Sequence, residues 1–441
     1  MPKDLSEYSP IETDWSHEAN VEKCNQFLTP AIKSFRAYET PIVVERGQGQ
    51  YLWDANGKKY VDMMAQNLCI SVGYNHPLVT AEVKKQIDLL QHATTMYLQA
   101  VPSHFGEELI ARFPKEVDWV VHFVNSGAEA ADLAVLMAQL YTGNFDMITL
   151  RTSYHGVHSA GMALSGIHSF KQPLPPIPGI HHVANPDPYR GVFGDNVDEY
   201  VEEISRTIFA STPGQIAGFI VEPVQGFGGV IPMPEGYISK AFDRVRAAGG
   251  ICIVDEIQTG FSRTGENFWG FQKHGVIPDM VMLGKGIGNG YPLSAVVVKR
   301  EIAEAMSHRK YFNTYAFNPV CCAAGRAVLH AIEEDGIQQN AEEVGAYLRE
   351  RLRTLQKKYD VIGDVRGLGL HDGVDLVKDR KSREPADDAA SYITEYAKDN
   401  GVIIGKGGAL GNMLRLNPPM CISKADIDGV IDVLDEGFRR M

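Results

Sequence analysis

The stretch that decides the fold runs from residue 249 to residue 285 and reads GGICIVDEIQTGFSRTGENFWGFQKHGVIPDMVMLGK. It contains two short apolar runs, residues 251–254 and 280–283, and each run ends abruptly in glycine or charged residues. Such runs are typical of buried parallel strands, and open α/β sheets bind their ligands beyond the carboxyl ends of the strands. We therefore expect Asp255, after the first run, and Lys285, after the second, to lie at one edge of a sheet.

A carboxylate and a lysine at neighbouring strand ends favour one cofactor, pyridoxal 5′-phosphate (PLP). PLP requires a lysine for its Schiff base and an acid that keeps its pyridine nitrogen protonated. PLP catalysis is the leading hypothesis from this pair of residues.

The length and composition are those of a globular enzyme with more than one domain. The chain has 441 residues, which exceeds the size of one ordinary core. Its 42 basic and 55 acidic side chains give a net charge of −13, which argues against nucleic acid or an anionic membrane as a partner. No apolar run reaches the roughly 18 residues of a membrane span, and the acidic first twenty residues lack a signal core, so we expect a cytoplasmic protein. The six cysteines show no metal-ligand spacing, and no metal site is expected.

The rest of the chain predicts an α/β architecture. Residues 48–62 flank Asn56-Gly57 and read as a hairpin, and residues 65–320 alternate helical stretches with short apolar strands. The predicted strands are residues 119–124, 147–150, 218–221, 250–254, 280–283 and 294–298, with a long surface loop at 171–194. A helix is predicted at 337–358, followed by strands at 365–370 and 374–377. We expect a large domain with a mostly parallel sheet at 65–330, and a smaller α/β domain formed by 1–64 and 331–441.

Other predicted strand ends also present residues suited to a cofactor. Ser126-Gly127-Ala128 opens a helix directly after a strand, and small residues at such a turn let backbone N–H groups approach a phosphate. Ser126 is equally suited to a simple helix cap, because SGAE resembles a capping box. Tyr154 and Glu222 follow two further strands, and the tyrosine could stack on a flat ring. A phosphate cradle, an aromatic ring, an acid and a lysine at one sheet edge favour PLP jointly more than any of them does alone.

With these residues in place, the chain resembles the class III aminotransferases, PLP enzymes of fold type I, over nearly its whole length. The shared motifs, in chain order, are GQGQYLWDANGKKYVD, GYNHP, NSGAEA, YHG, VEPVQG, IVDEIQTGFSRTG, LGKGIGNGYPLSAVV, NTYAFNP and LRLNPP. Within this family the chain is most similar to the branch of alanine–glyoxylate aminotransferase type 2. The resemblance implies transfer of an amino group from an amino acid or ω-amine to a 2-oxo acid such as pyruvate or glyoxylate, by a ping-pong mechanism.

The resemblance also implies a role for individual residues. Lys285 would hold PLP and serve as general base and acid, and Asp255 would pair with the pyridine nitrogen. The other cofactor contacts implied are Tyr154 and His155 at the ring face, Glu222 and Gln258 at the ring edge, and Ser126, Gly127, Ala128 and Thr314 at the phosphate. Arg415 would grip the substrate carboxylate, and the substrate pocket would be lined by Leu68, Cys69, Tyr97, Tyr154 and Phe227. Thr314 would act across a dimer interface, so a homodimer or a dimer of dimers with shared active sites is expected.

The sequence departs from the family pattern at three places. Phe227 stands where members acting on ornithine or 4-aminobutyrate have a glutamate, which argues against those two donors. Ala316-Phe317 replaces a common Gly-Gly pair, and His371-Asp372 follows Gly-Leu-Gly-Leu where relatives usually have apolar residues. The identity of the amino donor is left open by these residues.

Three alternative functions compete with amino transfer. A racemase, a decarboxylase or an aminomutase of the same fold would share the cofactor motifs, although Arg415 favours transfer. A nucleotide-binding protein is suggested by the glycines of residues 284–290. It fails because no Ser or Thr follows Gly284-Lys285 and because Asn289-Gly290-Tyr291-Pro292 stops any helix. A homologue that only binds is disfavoured because all of the expected catalytic side chains are present.

Overall fold

The structure is a computed structural model that describes residue 9, residues 11–175 and residues 177–441. The strands are β1 Val44–Gln48, β2 Tyr51–Asp54, β3 Lys59–Asp62, β4 Trp119–Val124, β5 Met147–Leu150, β6 Ile180–Val183, β7 Gly218–Val221, β8 Val224–Gln225, β9 Ile231–Pro232, β10 Ile251–Asp255, β11 Met280–Leu283, β12 Ser294–Lys299, β13 Ile362–Leu368, β14 His371–Asp379, β15 Glu384–Pro385, β16 Val402–Ile403, β17 Gly405–Gly407 and β18 Met413–Leu416.

The helices are α1 His17–Phe27, α2 Ala65–Leu68, α3 Pro77–Leu89, α4 Ala100–Ile110, α5 Gly127–Thr142, α6 Ser159–Leu164, α7 Val197–Ser211, α8 Gly226–Gly229, α9 Tyr237–Ala247, α10 Arg300–Glu304, α11 Pro319–Glu334, α12 Ile337–Lys358, α13 Asp387–Asp399 and α14 Lys424–Arg440. In the described part of the chain, no helix is long and apolar enough to cross a membrane.

A seven-stranded sheet forms the centre of the molecule, in the order β4-β12-β11-β10-β7-β5-β6. Only β12 runs against its neighbours, and the pairs between β11, β10, β7, β5 and β6 are parallel. Strands β5, β7, β10 and β11 are buried along their whole length, which explains why they read as continuous apolar runs. The prediction of an α/β fold with a mostly parallel sheet is confirmed.

Three smaller sheets accompany the central one, and the smallest is the two-stranded sheet β8-β9; the other two are larger. The first has the order β1-β2-β3-β16, in which β2 and β3 form the predicted hairpin and β16 joins β3 in parallel. The second contains β13, β14, β18 and β17, with β15 paired to β14. The pairing of β3 with β16 supports the proposal that the N-terminal segment and residues 331–441 form one small domain, and the boundaries at 64 and 330 stay predictions.

The prediction of a continuous surface loop at 171–194 is wrong, because β6 lies within it. The sequence of β6 is Ile-His-His-Val, and its two central histidines interrupt the apolar pattern by which the other strands are predicted. His181 pairs with Asp146 at 2.7 Å and the His182 ring lies 3.1 Å from the Leu164 carbonyl, so both rings find polar partners at the edge of the sheet. The strand predicted at 365–370 also ends early, because Gly369 adopts a φ of +55° in the turn to β14.

Candidate active site

Asp255 is the last residue of β10, and it is held by a histidine from the neighbouring part of the sheet. Nδ1 of His155 lies 2.7 Å from Asp255 Oδ2, and the other carboxylate oxygen accepts the backbone N–H of Ile257 at 3.0 Å. Both side chains are buried. The second ring nitrogen of His155 lies 3.4 Å from the Thr149 hydroxyl, so the imidazole is fixed at both ends. The carboxylate therefore has a defined orientation at the floor of the site.

Lys285 follows the next strand, β11, in a tight turn with a strained backbone. Its φ is +46°, a left-handed conformation that is costly for a non-glycine residue and often occurs at functional sites. The Ser71 hydroxyl donates to the Gly286 carbonyl at 2.7 Å, and the Asn289 side chain bonds the backbone of Val72 and Gly73. Burial lowers the pKa of the Lys285 amine, and the Arg415 guanidinium adds to that effect. The amine is accordingly favoured in the neutral form that a nucleophile or base requires.

The N-terminus of α5 forms the side of the site. The Ser126 hydroxyl accepts the Glu129 N–H at 3.2 Å and caps the helix, as one of the two interpretations of this serine predicts. The Glu129 carboxylate bonds the Asn125 N–H at 2.7 Å instead of closing a capping box on Ser126. The first N–H groups of a helix have no acceptor within the helix, so those of Gly127 and Ala128 are free to bind an anion.

Gly156 explains how the loop after β5 approaches this helix so closely. Its φ is +111°, and a Cβ at this position would lie 2.9 Å from both Cα and Cβ of Ala128. A side chain here would both strain the backbone and press on the first turn of α5. The glycine therefore sets the width of the site on this side.

Glu222, directly after β7, lies behind the site and holds two loops together. Its carboxylate accepts the Tyr154 N–H at 3.2 Å and the Gly226 N–H at 3.1 Å. Burial raises the pKa of Glu222 to about 7, and the Asp255 carboxylate contributes in the same direction while His155 opposes it. Glu222 fixes the loop that bears Tyr154.

Three aromatic rings meet at the mouth of the site. The ring centroids of Tyr154 and Phe227 are 5.0 Å apart, those of Tyr154 and Phe170 are 4.7 Å apart, and Phe170 meets Phe227 edge-on at 5.1 Å. Burial raises the pKa of the Tyr154 phenol. Phe170 was not predicted, because a single phenylalanine in a loop gives no signal in the sequence.

These elements enclose a cavity of about 180 Å³ at the strand ends. We call it the inner cavity; it is lined by Gly127, Ala128, Tyr154, His155, Gly156, Val157, Glu222, Asp255, Ile257, Gln258 and Lys285. A larger outer cavity of about 970 Å³ is lined in part by Gln66, Asn67, Phe170, Phe227 and Arg415.

Arg415 on β18 lies between the aromatic rings and two side-chain amides. Its guanidinium carbon is 4.8 Å from the centroid of the Phe227 ring, Nη2 donates to Gln258 Oε1 at 3.2 Å, and Nη1 lies 3.5 Å from Asn67 Oδ1. The side chain is only 1% exposed. Burial lowers the pKa of Arg415 to about 10, and the Glu222 carboxylate opposes that shift. Gln258, predicted at the ring of a cofactor, thus also orients the arginine.

The segment that bears Asn67 is wound in the left-handed sense. Residues Ala65, Gln66, Asn67 and Leu68 have φ values of 47°, 50°, 58° and 68°. Left-handed turns of L-residues are costly, and they persist where the surrounding structure imposes them. The turn directs Leu68 into the core. Cys69 follows the turn, and burial raises the pKa of its thiol while Lys285 opposes that shift. No glycine or turn-forming pattern indicates this turn, and Asn67 is a site residue that the sequence does not predict.

Five predicted site residues line neither cavity, namely Ser126, Leu68, Cys69, Tyr97 and Thr314, and the last two are also strongly exposed. Thr314 is exposed, and Tyr97 is 67% exposed between two other exposed apolar residues, Met96 and Leu98. In the part of the chain that the structure describes, neither Thr314 nor Tyr97 lines the inner or the outer cavity.

The residues around the inner cavity have the chemistry that PLP requires. The fixed Asp255 carboxylate suits a protonated pyridine nitrogen, the desolvated Lys285 amine suits an aldehyde carbon, and the free N–H groups of α5 suit a phosphate. The cofactor predicted from the sequence fits this site.

Comparisons with known proteins agree with this chemistry. The family model described as Aminotransferase class-III matches residues 34–437. Alanine–glyoxylate aminotransferase 2 homolog 2, mitochondrial, of Arabidopsis thaliana is 44% identical over 432 residues, which cover 98% of this chain and 90% of the relative. The human alanine–glyoxylate aminotransferase 2, mitochondrial, is 36% identical over 437 residues, 94% of this chain and 84% of the relative. A crystal structure of an amine transaminase from an uncultivated Pseudomonas species, in its PLP-bound form, matches with a TM-score of 0.87 at 30% identity and covers 99% of both chains.

Proposed function

The chain belongs to the class III aminotransferases and is a PLP-dependent transaminase, and from that premise we propose the roles of its own residues. When bound, PLP supplies an electron sink for the charge that develops on the carbon bearing the amino group. The Asp255 carboxylate would hold the proton on the pyridine nitrogen, and His155 would keep that carboxylate oriented. Tyr154 would stack on the ring, while the free N–H groups of Gly127 and Ala128, with Ser126, would bind the phosphate.

Lys285 would perform the proton transfers. Its Nζ would hold the cofactor covalently until the donor's amine displaces it. The freed amine would then take the proton from the carbon bearing the donor's amino group and deliver it to the carbon on the other side of the donor nitrogen. The lowered pKa of this amine supports the assignment, because a base must be neutral before it accepts a proton.

We propose that the substrates are small carboxylates, with alanine or a 3-amino acid as donor and pyruvate or glyoxylate as acceptor. One observation supports this most strongly: the guanidinium of Arg415 is buried beside Phe227, and its hydrogen-bond partners among the described residues are neutral amides. A buried cation with only neutral partners is well suited to a carboxylate, which it can bind in bidentate fashion. The names of the Arabidopsis and human relatives, which specify alanine and glyoxylate for those proteins, support the same choice.

Visible spectra of the holoenzyme test this proposal. Alanine or 3-aminoisobutyrate should bleach the yellow protein, and pyruvate or glyoxylate should restore the colour, whereas ornithine and 4-aminobutyrate should bleach it far more slowly. Arg415→Ala should weaken the affinity for pyruvate while leaving PLP bound. Equal rates with ornithine and alanine, or an unchanged pyruvate affinity in the variant, would contradict the substrate assignment.

We further propose that two copies of the chain share each pair of active sites. Thr314 is exposed in the single chain, together with the neighbouring Phe312 and Tyr315, and a second exposed apolar run covers Met96, Tyr97 and Leu98. In a dimer, Thr314 would reach the phosphate of the other copy's cofactor.

Mixing two defective variants tests this sharing directly. Lys285→Ala and Thr314→Ala each impair every site of a homodimer. A mixed dimer would combine Lys285 from one copy with Thr314 from the other and regain one intact site. Recovery of tight PLP binding on mixing is expected, and no recovery would mean that Thr314 does not act across the interface.

A cytoplasmic location stays a prediction. Imaging of the chain with a C-terminal fluorescent tag tests it. The test distinguishes the cytoplasm from mitochondria, because the Arabidopsis and human relatives are named as mitochondrial proteins.

A further inference from the structure

The departure at His371-Asp372 lies next to Arg415 in the small-domain sheet. Strands β14 and β18 are antiparallel, with Gly373 opposite Arg415 and Asp372 opposite Leu416. His371 precedes Asp372 on β14, and Asn417 directly follows the end of β18. Because side chains alternate along a strand, His371, two residues before Gly373, projects from the same face as Arg415. The Leu370 and Pro418 carbonyls both accept from Nη1 of Arg263, which brings the chain at His371 and the chain at Asn417 together.

This face is closed off from solvent and crowded with cations. His371 and Asn417 are fully buried, and Arg263 is buried beside them, since its guanidinium donates to the carbonyls of Leu370 at 3.1 Å and Pro418 at 2.5 Å. Burial lowers the pKa of His371 well below its usual range, and the charges of Arg263 and Arg415 act in the same direction. The imidazole is therefore neutral and has one donor and one acceptor nitrogen.

The hydrogen-bonding groups of these side chains are left over after the direct contacts are made. Within the described residues, six buried side-chain atoms have no direct hydrogen-bond partner: Nδ1 and Nε2 of His371, Oδ1 and Nδ2 of Asn417, Nε of Arg415 and Nη2 of Arg263. Guanidinium nitrogens only donate, so among these unpartnered side-chain atoms the acceptors are one imidazole nitrogen of His371 and Asn417 Oδ1. Buried polar groups that do not meet directly are joined by enclosed water in folded proteins.

We propose that His371 is a positioning residue for Arg415. With Asn417, it provides the acceptors that fix the inner Nε–H edge of the guanidinium through an enclosed water molecule, while Asn67 and Gln258 hold the Nη atoms on the outer edge. The guanidinium plane is thereby held ready for the incoming carboxylate. This inference rests on the proposed role of Arg415 in binding substrate.

His371→Met tests the proposal, because methionine fills the space of the imidazole without an acceptor nitrogen. We expect the dissociation constant of propionate, a carboxylate that cannot react, and the KM of pyruvate to rise by about tenfold, the usual effect of one lost hydrogen bond to a charged group. The PLP dissociation constant should not change. His371→Gln, which keeps an acceptor, should restore most of the propionate affinity.

Two controls separate the possible failures. His274→Met removes another histidine whose pKa is lowered by burial, in the turn Gly270–His274, and should leave propionate binding unchanged. Arg415→Ala should weaken propionate binding more than His371→Met does; if it does not, the proposed role of Arg415 fails. Suppose instead that Arg415→Ala binds propionate weakly. The role of His371 alone is then overturned if His371→Met binds propionate normally, or if His371→Met loses affinity for propionate and PLP alike. Should His371→Met not fold, Asn417→Leu decides the question by the same measurements.

Discussion

His155 and Asp255 form a buried pair in which the imidazole Nδ1 lies 2.7 Å from the carboxylate, with side chains 0% and 4% exposed. The two residues come from different strand ends, after β5 and at the end of β10, which are separated in the sheet by β7. A histidine that contacts a carboxylate at one nitrogen and a hydroxyl at the other has little freedom to rotate. Its effect on the reaction is therefore exerted through the orientation of Asp255.

Replacing His155 should weaken catalysis without removing the acid. We expect His155→Phe to lower kcat by about tenfold to a hundredfold, the range found when the group that orients a functional ligand is lost. Asp255→Ala should lower kcat further, because the acid itself is gone.

His181→Phe is a matched control for this prediction, since His181 also lies 2.7 Å from an aspartate, Asp146, but on β6 and outside the inner cavity. Steady-state kinetics of the three variants distinguish the roles. A loss in His181→Phe equal to that in His155→Phe would show that the histidine–aspartate pairs act only on stability.

Removal of the Lys285 amine should abolish both covalent attachment of PLP and turnover. The prediction depends on the place of Lys285 beside Asp255 and on its desolvated amine. Lys299→Ala is the control, because Lys299 ends the adjacent strand β12 but pairs with Asp279 at 2.6 Å. The visible spectrum after borohydride treatment, followed by mass spectrometry, checks the attachment site. Full turnover by Lys285→Ala would remove Lys285 from the mechanism.

The elements that the sequence predicts correctly are those in which one residue type suits one local geometry. Buried parallel strands must be apolar along their whole length, so β5, β7 and β11 were predicted with their observed bounds, and Asp255 and Lys285 follow from where the strands end. The edge strand β6 was missed because polar side chains are tolerated there. Asn67 was missed because four consecutive left-handed residues arise from tertiary constraint and not from glycine or turn composition. The placement of His371 on the same face as Arg415 could not be found without the register of β14 and β18.

Replacing Gly156 with any larger residue should lower the affinity for PLP. Gly156→Ala would place a Cβ 2.9 Å from Ala128, and the first turn of α5 would have to move away from the phosphate. Gly57→Ala is the matched control: Gly57 also has a positive φ, +81°, but its added Cβ would meet open space. Both variants should be destabilised by backbone strain, and only Gly156→Ala should bind PLP more weakly. Equal PLP affinities, measured by equilibrium dialysis, would show that the contact with Ala128 does not shape the phosphate site.

The buried Asp372 should make the cofactor-free protein less stable as the pH rises. Burial raises its pKa from the ordinary value of 3.8 to about 7, although Arg349 pairs with it at 2.9 Å. Between these values the unfolded chain releases a proton that the folded chain retains, so the free energy of unfolding falls with pH, by up to about 1.4 kcal/mol per pH unit for one group. Below pH 3.8 the carboxyl of Asp372 is protonated in both states, and the free energy of unfolding no longer depends on it. Above about pH 7 it is ionised in both states, and its full destabilising effect is present.

Asp372→Asn, which is neutral at every pH, should therefore gain stability relative to the natural protein as the pH increases from 4.5 to 7.5. The wild-type trend should not vanish entirely in the variant, because burial also raises the pKa of Glu222 and of Glu256 to about 7. The difference in Tm between variant and wild type, measured at half-unit steps of pH, isolates the contribution of Asp372. Asp360→Asn is the control for the same chemical change at a fully exposed aspartate, which lies 3.6 Å from Arg380. Parallel curves for Asp372→Asn and wild type would mean that Asp372 is ionised throughout this range, with Arg349 compensating its burial.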